Sequence, residues 1–225
     1  FCVYLPPGRR ADNHPDPTAP EPMIIDRVFD SNINAKVIDR AASLLDEGGL
    51  IAYPTDVNYA IGCHALRQSS IEELCRLKGI DPRRQTLSVI CADMSQAAAY
   101  ARIDNAAFRI LRANLPGPFT FILPASTELP KIFKGRKSVG VRIPDSPVPR
   151  AIAEAIGAPL LSMTATDADG EPLGEPDEVA VGYGDRSPIV MLIDAGSRPG
   201  ALTTVVDLTD SHSPVIIREG AGQLL

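Results

Sequence analysis

A chain of 225 residues with 28 acidic and 22 basic side chains, net −6, can bury a sizeable core in one domain. That charge excludes a general polyanion binder while leaving room for a local basic patch. Tryptophan is absent and aromatics are sparse, which argues against a surface built to stack single-stranded bases.

No apolar run is long enough to span a membrane, and Phe1–Leu5 is too short for a signal-peptide core. Cys2, Cys63, Cys75 and Cys91 show neither C-x-x-C nor zinc-type spacing. They read as buried reduced thiols, which makes the cytosol the expected compartment.

Residues 1–26 read as a flexible extension, because positions 6–22 are rich in proline and charge, with Met23 a candidate native start. The folded unit is expected over 27–225. Asn34 to Glu47 places Val37, Ile38, Ala41, Ala42, Leu44 and Leu45 on one helical face, and Gly48-Gly49 stops it. Leu50–Tyr53 reads as a buried strand ended by Pro54. The segment from Gly48 to Gly62 is expected to form one wall of a small-molecule site.

Ser70-Ile71-Glu72-Glu73 reads as a capping box opening a helix that closes near Gly79. A strand is predicted at Leu87–Cys91, and helices at Ser95–Ala101 and Asp104–Leu115, the second capped by Asp104. Strands follow at Phe119–Leu123 and Ser138–Ile143. A helix then runs from Pro147 to Ile156, stopped by Gly157. Pro159–Met163, Ile189–Ile193, Thr203–Leu208 and Val215–Ile217 complete a strand-rich end. Early alternation with late clustering of strands predicts a mixed, twisted sheet carrying helices.

No G-x-x-x-x-G-K-[ST] loop is present, and Gly182-Tyr183-Gly184 lacks a dinucleotide-binding context. Three scattered histidines do not make a zinc centre. Cys63 and His64 leave an extended chain on opposite faces and cannot form a nucleophile–base pair. What stays is the Tyr53-Pro54-Thr55-Asp56 turn, the basic group Arg76, Lys78, Arg83 and Arg84, and Pro116-Gly117-Pro118-Phe119-Thr120, a helix stop leading into a strand. Strand ends add Ser138, Arg142, Ser162, Thr164, Thr166, Thr203, Thr204 and Arg218. Each alone suits a turn, a helix end or an ion pair. Together, arginine forks and hydroxyls suit a polyphosphate or carboxylate ligand.

These segments resemble the YrdC/YciO family of L-threonylcarbamoyladenylate synthases and their relatives, over residues 27–222. The resemblance rests on GGLIAYPTDVNYAIG, LPGPFTFIL, KSVGVRIP, APLLSMTAT, ALTTVVDL and VIIREG, in family order. It implies an α/β fold, a twisted mixed sheet with flanking helices and a large concave electropositive cavity. The implied reaction takes ATP, bicarbonate and L-threonine to threonylcarbamoyl-AMP and pyrophosphate, for tRNA modification, with Mg²⁺ expected beside the triphosphate. Double-stranded RNA is a further implied partner.

By position, the resemblance assigns Lys78, Arg83, Arg84, Ser138, Thr164 and Arg218 to ATP. It assigns Thr55, Arg142, Ser162 and Thr203 to threonine. Departures stand at Val57, where a hydroxyl is usual, and at Ile80, near the displaced arginine of K-x-R-P. Others stand at Ile90, where a histidine is usual, and at Thr166, where an asparagine is usual. Each lost hydrogen bond to a charged ligand costs about 1.5–3 kcal/mol, and the pattern resembles the YciO branch. Two other readings stand beside this one. One is a non-catalytic RNA- or ribosome-binding module using the basic segments Arg76–Arg84 and Lys131–Lys137. The other is a nucleotidyltransferase using a different small carboxylate.

Overall fold

The computed structural model describes residues 22–81, 87–126, 137–184 and 187–225. Its strands are β1 (Ile24–Arg27), β2 (Leu50–Pro54), β3 (Tyr59–His64), β4 (Ser88–Ile90), β5 (Phe119–Pro124), β6 (Ser138–Arg142), β7 (Leu160–Thr164), β8 (Ile189–Asp194), β9 (Thr204–Asp207) and β10 (Val215–Arg218). The helices are α1 (Ala35–Glu47), α2 (Gln68–Leu77), α3 (Met94–Tyr100), α4 (Asn105–Asn114), α5 (Pro147–Ala155) and α6 (Pro176–Gly182). The strands form one sheet in the order β1-β8-β2-β3-β7-β4-β6-β5-β9-β10. Parallel and antiparallel pairs alternate irregularly along it, as in β2 with β8 (parallel) and β2 with β3 (antiparallel).

Register divides the apolar residues between two faces. Ile51, Tyr53, Ala60, Ile90, Leu160, Met191 and Ile193 point to one side, where α1 and α5 bring Val37, Ile38, Leu45, Val148 and Ile152 onto them. Ala52, Ile61, Cys63, Val89, Phe121, Val141 and Leu161 point to the other, packing with Ile71 and Leu74 of α2 and Val179 of α6. Each fully buried aliphatic contributes about 1.5–3 kcal/mol of transfer free energy. The alternation of period two thus sorts one strand into two cores.

Helix ends follow the expected chemistry at α1, where Asn34 accepts from the Lys36 amide at 3.0 Å and Gly48 turns the chain at φ 103°. Asp104 caps α4 by accepting from the Ala106 and Ala107 amides. The capping box at Ser70 does not form. Helix α2 begins two residues earlier, and the Ser70 hydroxyl donates instead to the Gly48 carbonyl at 2.9 Å, tying α2 to the end of α1.

Three elements lie outside the pattern-based expectations. β1 pairs with β8 from Ile24, so the sheet starts upstream of the expected boundary at residue 27. β3 returns antiparallel to β2 through a four-residue-scale turn and shares its complete burial. The α6 helix is short and acidic at its start. Cys63, Cys75 and Cys91 are buried free thiols, and burial pushes Cys91 up to about 12. Among the described residues, no helix is long and apolar enough to cross a membrane.

Candidate functional site

The α1/α5 layer leaves part of its sheet face uncovered, and the gap is a cavity of about 390 Å³. Its floor follows the register: Ser162 opposes Ser88, Ser88 opposes Gly140, and Gly140 opposes Ile122. A Cβ on Gly140 would stand 2.5 Å from Ser88 Oγ and 3.2 Å from Thr120 Cγ2. The glycine therefore keeps the floor deep.

Three cations enter this hollow. Arg142 ends β6 with its side chain only 7% exposed. One guanidinium nitrogen donates to Asp56 Oδ1 at 3.2 Å, and Asp56 Oδ2 accepts the Asp145 amide at 3.1 Å. Burial lowers the Arg142 pKa, and Asp56 opposes that shift. The ion pair keeps the guanidinium charged in a dry setting, and Nε has no protein partner.

Arg218 reaches in from the exposed edge strand β10. Its Nε and a terminal nitrogen donate to the Thr203 carbonyl at 3.2 and 2.9 Å, and the latter also reaches Thr203 Oγ1. Thr203 Oγ1 lies 2.9 Å from Thr120 Oγ1, a hydroxyl pair joining β5 to the start of β9. Lys78, on the far side, donates to Thr166 Oγ1 at 2.8 Å.

Beside Arg142 lie Tyr53 and Ser162. Their hydroxyls interact, yet neither has a well-formed hydrogen bond. Burial drives the Tyr53 phenol well above its ordinary value, so it remains a donor. Gly62 makes room for it, since a Cβ there would lie 2.5 Å from Tyr53 Oη. A buried guanidinium nitrogen and two hydroxyls without partners favour an anionic or strongly polar ligand, because leaving them unmet costs free energy.

Of the residues singled out from sequence, Lys78, Arg142, Ser162, Thr164, Thr203 and Arg218 come together around this cavity, with Ile80 and Thr166 on its lining. Ser138 opens β6 opposite Pro124 and is not on the lining. Arg83, Arg84 and most of Lys131–Lys137 lie outside the described residues. Arg76 is held in an ion pair with Glu73.

Thr55 is a correction in geometry. It is fully buried, and its hydroxyl donates to the Asn58 carbonyl while accepting the Val57 and Asn58 amides. It builds the turn and does not face the cavity. Val57 is equally buried and off the lining, so a hydroxyl is not missing from this surface. Ile90 packs in the α1/α5 core opposite Arg142. The Gly48–Gly62 segment lines nothing directly. It stands behind the wall, and its Asp56 holds Arg142.

Ser88 is the member that sequence reading missed, while Tyr53, Asp56 and Thr120 stood in segments it singled out without a role for any of the three. Ser88 and Thr120 carried one usable signal, two-residue spacing from Ile90 and Ile122 on their strands. Among the described residues, no cluster of histidine, cysteine or carboxylate side chains could hold a metal ion. The lining offers cations and hydroxyls, a donor set that does not fit a protein-built magnesium site.

The profile of the Sua5/YciO/YrdC family, described as "Telomere recombination", matches residues 43–220. The YciO protein of Escherichia coli K12 is 34% identical over 199 residues, covering 88% of this chain and 95% of its own. Its crystal structure superposes with a TM-score of 0.80 at 32% identity, covering 89% of this chain and 96% of that one. A threonylcarbamoyl-AMP synthase of Halorhodospira halophila is 34% identical over 185 residues, covering 80% and 93% of the two chains. The structure of P. abyssi Sua5 complexed with L-threonine gives a TM-score of 0.78 at 28% identity. It covers 88% of this chain and 57% of that one.

Proposed function

The chain belongs to the Sua5/YciO/YrdC family, and from that premise we propose that it is a threonylcarbamoyl-AMP synthase-like nucleotidyltransferase. Its substrates in this reading are ATP, bicarbonate and a small amino acid, with L-threonine the first candidate and the cytoplasm the setting. The observation that carries the reading is Arg142. It is a buried fork with an unpartnered Nε, beside two unpartnered hydroxyls, in a cavity that Arg218 and Lys78 also enter.

Arg142 takes the amino-acid carboxylate, since a fork held by Asp56 on one side presents its remaining donors to a planar anion. Ser162, with the Tyr53 hydroxyl behind it, orients the amine end, which condenses with bicarbonate to a carbamate and water. The carbamate oxygen then attacks the α-phosphorus of ATP. The bond to the β-phosphate oxygen breaks, and pyrophosphate leaves with both electrons. Arg218, Lys78 and the hydroxyls of Thr164 and Thr203 neutralise the growing phosphate charge. The chain supplies positioning and charge stabilisation and needs no nucleophile of its own. Mg²⁺ on the nucleotide phosphates would add charge neutralisation there.

The test is pyrophosphate release with ATP, bicarbonate and each amino acid in turn. Release dependent on threonine supports the synthase reading, and release with another amino acid redirects it to a different carboxylate. No release, no thermal shift with ATP and salt-steep binding of duplex RNA would replace it with the RNA-binding reading.

A further inference from the structure

Lys78 does not stand alone at its side of the cavity. It sits just past the end of α2, followed by Gly79 at φ 63°, and its ammonium spans the gap to two other elements. It donates to Thr166 Oγ1 at 2.8 Å and to Tyr183 Oη at 3.3 Å. The Tyr183 phenol also donates to the Thr166 carbonyl at 2.9 Å and accepts the Thr166 amide at 3.2 Å. One donation and two acceptances use the full capacity of a phenol. The Lys78 ammonium stands 5.9 Å from the centre of the Tyr183 ring, whose body packs against the core.

This clamp also separates two spaces. Lys78 and Thr166 line the 390 Å³ cavity, and the same two residues, with Tyr183, line a neighbouring one of about 580 Å³. Without the clamp, a lysine side chain with four rotatable bonds would be free to lean into either space. With it, two donors are tied to neutral oxygens, the charge is not cancelled, and the third donor is left for a ligand.

We infer that Tyr183, acting with Thr166, is a positioning residue that holds the Lys78 ammonium at the rim of the cavity for a polyphosphate. Tyr183 belongs to the Gly-Tyr-Gly segment, which has no place in the reaction described above. The inference rests on the nucleotide reading of the cavity and names how that reading's lysine is kept in place. Holding the ammonium in advance removes part of the ordering cost of binding.

The test is calorimetric titration of inorganic tripolyphosphate, with ATP in parallel, into the full chain and its variants Lys78→Ala, Tyr183→Phe and Lys78→Ala/Tyr183→Phe. Lys78→Ala is expected to weaken tripolyphosphate about tenfold, and Tyr183→Phe by about threefold to tenfold with the chain still folded at the temperature of the titration. In the Lys78→Ala background, Tyr183→Phe should have no further effect, which a merely structural tyrosine would not reproduce. Should Tyr183→Phe fail to fold, Thr166→Val carries the same cycle, since it removes the other acceptor and keeps the side-chain shape.

Unchanged or tighter binding by Tyr183→Phe, or an equal loss with and without Lys78, overturns the inference and leaves the nucleotide reading standing. Tripolyphosphate binding that ignores Lys78→Ala also overturns it. If the unaltered protein binds neither tripolyphosphate nor ATP, the inference and the nucleotide reading fall together.

Discussion

One face of the sheet is dry core at its β8-β2-β3 end and a polar hollow towards β4, β6, β5 and β9. The backbone is the same in both, so the difference lies in side-chain size and in where the helices stop. Met191, Ile51, Tyr53 and Ala60 meet α1 and α5. Ser162, Ser88 and Gly140 meet nothing large, and Arg142 is left between the two regimes with Asp56 as its counter-ion. The hollow is a place where a core was not completed, and on its lining Arg142 Nε and the Ser162 hydroxyl have no protein partner.

Removing the residue at the border should have the largest effect. Arg142→Ala leaves Asp56 buried without its partner and is expected to cost about 3–5 kcal/mol, read by urea denaturation, together with loss of amino-acid binding. Arg142→Lys should recover most of the stability and little of the binding, because a lysine has no fork. Amino-acid binding by both variants as tight as that of the unaltered chain would remove Arg142 from the site.

A cut deep in the dry half should separate stability from function. Met191→Ala is expected to cost about 2–5 kcal/mol, while the folded fraction keeps its affinity for ATP in calorimetry. Filling the hollow should do the reverse. Gly140→Ala places a methyl against Ser88 and Thr120 at a cost of about 1–3 kcal/mol, with ligand affinity falling more than that stability loss requires. If Gly140→Ala binds as tightly as the unaltered chain, the floor of the cavity is not in contact with ligand.

The smallest effect concerns pH at the margin of the dry half. Burial lowers the His64 pKa below its ordinary value, with Asp46 3.7 Å away opposing the shift. The folded state therefore favours neutral His64. That contribution is fully present above the unfolded-state value of about 6.5 and is lost as pH falls through the lowered folded value. Melting curves across mildly acidic pH should show a steeper loss of stability for the unaltered protein than for His64→Gln. Identical slopes would show that His64 is not the group involved.

Much of the fold was legible because its signals are local. Apolar periodicity marked α1, Gly48 and Gly157 marked helix ends, and Asp104 announced α4. The errors arose where a local pattern met a tertiary competitor. Ser70 had the spacing of a cap but found the Gly48 carbonyl instead. Thr55 had the look of a ligand contact, but a buried turn needed its hydroxyl more. β3 was hidden because strands buried on both faces show no polar alternation.

The same limit holds for the site. Sequence by itself determined the family motifs, the mixed α/β class and the two arginines that converge with Lys78, because these depend on residue type and order along the chain. Only the tertiary structure decided that Gly48–Gly62 stands behind the wall and does not line it. It also decided that Asp56 belongs to Arg142, and that Tyr183 reaches Lys78 across 105 residues of chain. Those are matters of distance between remote segments, set by sheet order and by which face each strand turns to the helices.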